Sequence, residues 1–181
     1  LPFSPLADEP PSSHADSVYL PGGYPELHAG CLASAARFLD GLRTAASRQI
    51  PIYGECGGYM VLGRTLEDAD GATHPMAGLL PLDTSFAKRR LHLGYREAVA
   101  VSATPFGPGS TVLRGHEFHY ASITAEEADP PLFRVRDARG DDLGGMGARA
   151  LASDHRQVGA HVARGDRGDA DDRRRDRKSV V

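Results

Sequence analysis

The sequence predicts an α/β fold in which a parallel sheet is joined by crossover helices, and three observations predict it. Apolar runs alternate with helix-period segments in the order strand, helix, strand, helix. Both early strands run straight into glycine-rich turns, Pro21-Gly22-Gly23-Tyr24-Pro25 and Gly54-Glu55-Cys56-Gly57-Gly58. After Asp68 the pattern shortens to strand-like segments between Gly/Pro loops. At 181 residues, 40% of them hydrophobic, the chain is long enough for one globular domain with a real core.

Residues 1–16, rich in Pro, Ser and Asp, read as a connector, with structure starting after them. Ser17 to Leu20 form a short strand whose C-terminal end carries the first glycine turn. In open α/β sheets ligands bind at that edge. From Glu26 to about Ser47, Leu27, Cys31, Ala35, Phe38 and Leu42 recur at helical spacing, which predicts one amphipathic helix. Ile50 to Tyr53 supply the second strand, and the turn after it opens a second helix that fades by Glu67. Segments 78–82, 93–101, 111–113 and 118–120 read as further strands. From Asp137 the chain becomes charged and poor in large apolar residues, so 144–181 is expected to be a solvated, disordered tail. The expected organisation is a linker over 1–16, a domain over 17–143 and that tail.

A net charge of −3 supplies no basic field for nucleic acid. Two cysteines, one on a helix and one on a turn, do not make a disulfide framework and fit a reducing cytoplasm. No apolar run is long enough to span a membrane, and no leader-like segment is visible.

Cys56 is the candidate nucleophile. An apolar strand, a sharp Gly-x-Cys-Gly-Gly turn and a buried helix start follow the logic of the nucleophile elbow, with sulfur in place of the serine oxygen. The flanking glycines let backbone approach a ligand closely and accept angles that a side chain resists. The N–H of Gly57, faced by that of Gly22 or Gly23 from the neighbouring turn, can hold a developing oxyanion. A thiol nucleophile needs a base, and Gly115-His116-Glu117-Phe118-His119-Tyr120 offers one. On a strand His116 and His119 point to opposite faces, while Glu117 shares the face of His119 and can orient its ring. His119 is the candidate base. A metal reading of His116, Glu117, His119, His92 and His74 is set aside, because the spacing is not the helical His-Glu-x-x-His pattern.

Taken together and in this order, Leu20-Pro21-Gly22-Gly23-Tyr24-Pro25-Glu26-Leu27, Tyr53-Gly54-Glu55-Cys56-Gly57-Gly58-Tyr59-Met60 and Gly115-His116-Glu117-Phe118-His119-Tyr120 resemble the glutamine amidotransferase domain of cobyrinic or hydrogenobyrinic acid a,c-diamide synthases, enzymes of cobalamin biosynthesis. The resemblance runs from about Phe3 to Asp142. It implies a three-layer sandwich with a largely parallel sheet, of the class I glutamine amidotransferase type. It implies that Cys56 attacks the side-chain amide of glutamine, that His119 carries the proton, and that Gly57 with Gly22 or Gly23 holds the oxyanion. Ammonia would pass to an upstream synthetase domain that uses ATP and Mg2+ to activate carboxylates of a corrinoid acceptor. No cofactor is expected in this chain, which carries no Gly-x-x-x-x-Gly-Lys-Ser/Thr segment. Related enzymes with a full triad have a glutamate two residues after the histidine. Here that position is Ala121, which leaves ring orientation to Glu117 or a backbone carbonyl. The family usually closes with a further apolar strand that the sequence from about Gly144 lacks, as an altered reading frame near the end of the gene would produce. The corresponding domain of cobyric acid synthase, or a non-catalytic truncated remnant of the same fold, are the alternatives.

Overall fold

The computed structural model describes residues 1–104, 106–127 and 131–148, and beyond these only the backbone of two short strands at 158–159 and 163–164. Strands β1 (Val18–Leu20) and β2 (Ile52–Gly54) pair in parallel, with Val18 against Ile52 and Leu20 against Gly54. Their connection is helical, as the periodicity predicts, but it is not one helix. Pro25 opens a 3-10 turn over Pro25–Leu27, then α1 (Ala29–Ser34) and α2 (Ala36–Ser47) follow, separated at Ala35, where ψ is 71°. The break rotates the inward face. Leu32, Phe38, Leu39 and Leu42 are buried, whereas Leu27 and Cys31, which a continuous helix would place on the apolar stripe, are exposed. Phe38 and Leu42 lose all contact with solvent, each contributing about 1.5–3 kcal/mol by burial.

Residues 1–16 are folded against this layer. A 3-10 turn spans Pro5–Ala7, the Phe3 ring lies 6.2 Å from that of Phe38, and Pro10 packs on Gly41. The Asp8 carboxylate accepts the Phe38 N–H at 2.8 Å, satisfying a first-turn donor of α2 that the helix itself leaves open. Regular structure therefore begins earlier than the composition suggests.

Helix α3 (Gly57–Leu62) follows the elbow and stops at Gly63. A side chain at 63 would meet the Leu82 carbonyl at 2.7 Å, so glycine lets the chain turn directly into β3 (Thr65–Glu67) where the periodicity predicts more helix. β3 pairs antiparallel with β4 (Thr73–Pro75) and parallel with β5 (Leu82–Ser85). The strand expected over 78–82 thus starts at Leu82, after a loop that buries Leu80. Strands β6 (His92–Ala100) and β7 (Val112–His119) form a long antiparallel pair, and β7 joins the two segments read separately at 111–113 and 118–120. β8 (Ser122–Glu126) pairs with β5, β9 (Phe133–Asp137) with β6, and β10 (Asp142–Met146) with β9. β10 carries strand structure across the boundary expected at 143/144. Farther on, β11 (Val158–Gly159) adds to β2 and β12 (Ala163–Arg164) to β7. The remainder of the charged tail lies outside the described residues.

Parallel pairing holds in the sheet β1-β2-β11 and between β3 and β5, and the other pairs are antiparallel. The cause is connection chemistry. Parallel neighbours need a crossover of a dozen or more residues, and after Asp68 the described segments between strands contain no helix. Among the described residues, no helix is long and apolar enough to cross a membrane.

Candidate functional site

Cys56 sits between the end of β2 and α3 with φ 50° and ψ −118°. A non-glycine residue at positive φ costs about 1–3 kcal/mol and persists only where the surroundings enforce it. They do so here through close backbone approach. A side chain at Gly54 would meet the Gly58 carbonyl at 2.7 Å, one at Gly57 the Gly23 carbonyl at 2.8 Å, and one at Gly58 the Leu20 carbonyl at 2.2 Å. Three glycines thus wedge the elbow between β1 and the Gly22–Gly23 loop. The position of a Cβ on Gly22 lies 3.3 Å from Cys56 Cβ and 3.7 Å from Sγ, so that loop lines the thiol directly. Gly23 has open space where its side chain would be. The predicted meeting of the two glycine turns is present.

Two features the sequence reading missed brace the elbow. The hydroxyls of Tyr19 and Tyr53 donate to the buried Glu55 carboxylate, the latter at 3.3 Å, with the two rings stacked 5.7 Å apart. Behind it, the buried Tyr59 hydroxyl donates to Glu126 and accepts the Ala148 N–H at 2.7 Å. Burial, reinforced by the Glu126 charge, pushes the Tyr59 phenol far above its ordinary pKa.

On the other side of the thiol, Cys56 Sγ lies 3.9 Å from the carbonyl oxygen of Phe118. The next residue is His119. Alternation along β7 sends Glu117 and His119 inward, where they are 5% and 8% exposed, and turns Phe118 outward. His119 Nδ1 faces the Ala121 carbonyl at 3.0 Å and Nε2 faces Glu117 Oε1 at 2.8 Å. Both alternatives raised for orienting the ring are therefore realised: a backbone carbonyl two residues after the histidine and a carboxylate two residues before it. An imidazolium satisfies both contacts as a donor, whereas a neutral ring satisfies one.

Glu117 has a second partner that the sequence reading did not identify. Arg96 Nε and Nη2 both reach Glu117 Oε2 at 2.7 Å. Burial raises the Glu117 pKa, but the His119 hydrogen bond and the Arg96 charge outweigh it and hold the carboxyl at about 2. His92 stacks on His119 with ring centroids 4.6 Å apart. Its pKa is lowered by burial and then by the charge of His119. Both residues lie on β6, where His92 and Gly94 stand opposite His119 and Glu117 in register and Arg96, opposite Gly115, reaches Glu117 diagonally. Period-two spacing within the strand predicted at 93–101 is the signal that finds Arg96.

Of the residues weighed as metal ligands, the structure separates two. His74 faces the Asp68 carboxylate at 2.7 Å, and His116 lies on the outer face between Tyr95 and Phe118. His92, Glu117 and His119 do bring ligand-type atoms within 4.8 Å of one another. Glu117 is nevertheless bonded through both oxygens, and a guanidinium on that carboxylate opposes a second cation. Hydrogen bonding accounts for this cluster.

An apolar cavity of about 480 Å³ adjoins the elbow, walled by Phe3, Leu6, Leu32, Phe38 and Val61 and bordered by Gly22, Gly23, Gly57 and Gly58. Neither Cys56 nor His119 lines it, and its apolar walls do not suit a polar amino acid. The thiol itself faces the Phe118 carbonyl and the Gly22 backbone.

The family model described as the CobB/CobQ-like glutamine amidotransferase domain matches residues 1–161. The hydrogenobyrinate a,c-diamide synthase of Brucella anthropi is 60% identical over 147 residues, covering 81% of this chain and 33% of that protein. Proteins of the same name from a Sinorhizobium species and from Rhodobacter capsulatus are 61% and 57% identical over 148 and 149 residues. They are covered over 33% and 34% of their lengths, with 81% and 82% of this chain matched, so the chain spans about a third of these relatives. A crystal structure of a glutamine amidotransferase superposes with a TM-score of 0.52 at 15% identity, covering 82% of this chain and 70% of that one. That likeness carries the fold, which is of the class I glutamine amidotransferase type. Matched over most of its length, the chain belongs to the CobB/CobQ-like glutamine amidotransferase domain family.

Proposed function

We propose that this chain is a glutaminase unit. Cys56 Sγ attacks the side-chain amide carbon of glutamine, giving a tetrahedral oxyanion held by backbone N–H groups of Gly57 and of Gly22 or Gly23. With one ring nitrogen turned from the Ala121 carbonyl toward the thiol and the other kept on Glu117, His119 takes the thiol proton and returns it to the departing nitrogen, so ammonia leaves and a glutamyl thioester remains. A water molecule, deprotonated through the same imidazole, attacks the thioester; glutamate departs and the thiol is restored. The observation that carries this reading is a cysteine held at positive φ between the Gly22–Gly23 loop and the strand of a His119–Glu117 pair.

The names of the relatives extend the proposal to the assembly. The ammonia serves an ATP- and Mg2+-dependent synthetase domain upstream in the same polypeptide, which amidates the a and c carboxylates of hydrogenobyrinic or cobyrinic acid. Two unpaired cysteines suit the cytoplasm for this chemistry. Glutamate release from glutamine by the purified chain tests the reading, alongside Cys56→Ala and His119→Ala. Turnover lost in both variants is expected. Labelling by an electrophilic glutamine analogue should fall on Cys56 and spare Cys31, although Cys31 is the more exposed thiol. Labelling of Cys31 instead would overturn the assignment.

A further inference from the structure

We propose that Arg96 is a positioning residue of this site, acting through Glu117 to fix the His119 ring and keep the transferred proton on it. The proposal rests on the glutaminase reading above. Arg96, Glu117 and His119 form one line across the inner face of the β6–β7 pair, with two 2.7 Å contacts from the guanidinium to Oε2 and a 2.8 Å contact from Oε1 to the imidazole. All three side chains are largely buried, at 13%, 7% and 7% exposure. The site is shaped for this guanidinium. Gly94 stands opposite Glu117 in register, and a side chain there would meet Arg96 Nη1 at 2.4 Å. The Tyr95 carbonyl accepts from the same nitrogen at 3.0 Å and fixes the plane of the group.

The chemistry gives this line a purpose. When His119 takes the proton of Cys56, the buried carboxylate beside it stabilises the imidazolium, but an isolated buried carboxylate would also compete for that proton. A guanidinium on its second oxygen removes the competition, because it favours the ionised carboxylate. The Arg96–Glu117 pair thus does from β6 and the preceding turn of alternation what a triad glutamate does at the position occupied here by Ala121. The titratable and charged groups around Glu117 are His119 on its own strand and His92 and Arg96 on β6, with Arg90 acting on His92 in turn and Cys56 lying across the Phe118 carbonyl.

The test follows glutamate release by the full 181-residue chain across about pH 5 to 9 for wild type, Arg96→Gln, Arg96→Lys and, on the outer face of the same sheet, Arg114→Gln. Arg96→Gln should lower kcat at least about ten-fold with KM nearly unchanged, and should introduce a fall in kcat on the acid side as Glu117 becomes protonated. Arg96→Lys should restore part of the rate. Arg114→Gln should behave as wild type. An Arg96→Gln enzyme with wild-type kcat and pH profile overturns the proposal. Independently of turnover and of how well the variants fold, 13C NMR of the wild-type Glu117 carboxyl should show it ionised down to about pH 3. A midpoint in the ordinary carboxylate range overturns the proposal, whereas an ionised Glu117 in a chain that never hydrolyses glutamine overturns the glutaminase reading.

Discussion

Replacing Glu117 by glutamine should destabilise the domain strongly at neutral pH and progressively less in acid. The folded-state pKa of Glu117 falls from the ordinary 4.5 to about 2. At about 1.4 kcal/mol for each factor of ten, this corresponds to roughly 3 kcal/mol of stability. Because the pKa is depressed in the folded state, that contribution is complete above about pH 4.5 and is lost as the pH falls through about 2. The amide accepts one hydrogen bond in place of the carboxylate but leaves the Arg96 charge buried without a counter-charge, a loss of the same order. For a domain of this size the expected fall in Tm at pH 7 is roughly 6–12 °C. The assay is thermal and urea unfolding of wild type and Glu117→Gln between about pH 7 and pH 3. The two stability curves should converge toward the acid end. Parallel curves, or a neutral-pH difference below about 1 kcal/mol, would show that Glu117 is not an ionised, paired group and would refute the electrostatic reasoning.

Three further outcomes follow from the elbow and its supports. Cys56→Gly should abolish glutamine hydrolysis yet stabilise the fold by about 1 kcal/mol, since glycine accepts φ 50° without strain; a destabilised variant would mean that the elbow is unstrained. Gly58→Ala, which drives a Cβ to within 2.2 Å of the Leu20 carbonyl, should separate α3 from β1, lowering both the melting temperature and thiol labelling, and normal labelling would contradict that packing. Asp8→Ala should cost about 1 kcal/mol by opening the first-turn N–H of Phe38. An unchanged urea midpoint in that variant would show that residues 1–16 do not support the domain.

The sequence made the chemistry legible wherever local rules are strong. Glycines packed around one cysteine, between an apolar run and a helix start, announced the elbow, and period two along 112–119 separates His119 and Glu117 from His116. It was less informative where neighbours in space overrule periodicity. The helix read over 26–47 breaks at Ala35, which exposes Cys31, and the helix expected to reach Glu67 ends at Gly63 against the Leu82 carbonyl. Short strands such as β4, β8 and β10 carry little apolar alternation of their own and owe their form to partner strands.

By itself the sequence singled out the candidate nucleophile, its glycine setting, the candidate base and the face of β7 that its imidazole occupies, because each follows from residues within a few positions of one another. Only the tertiary structure decided what holds the imidazole. Arg96 lies 21 residues from Glu117, and its relation to His119 exists solely through the register of β6 on β7. Alternation assigns a residue to a face. Which residue it meets across the sheet is set by strand pairing, and a buried charge gains its role only from the partner that pairing supplies.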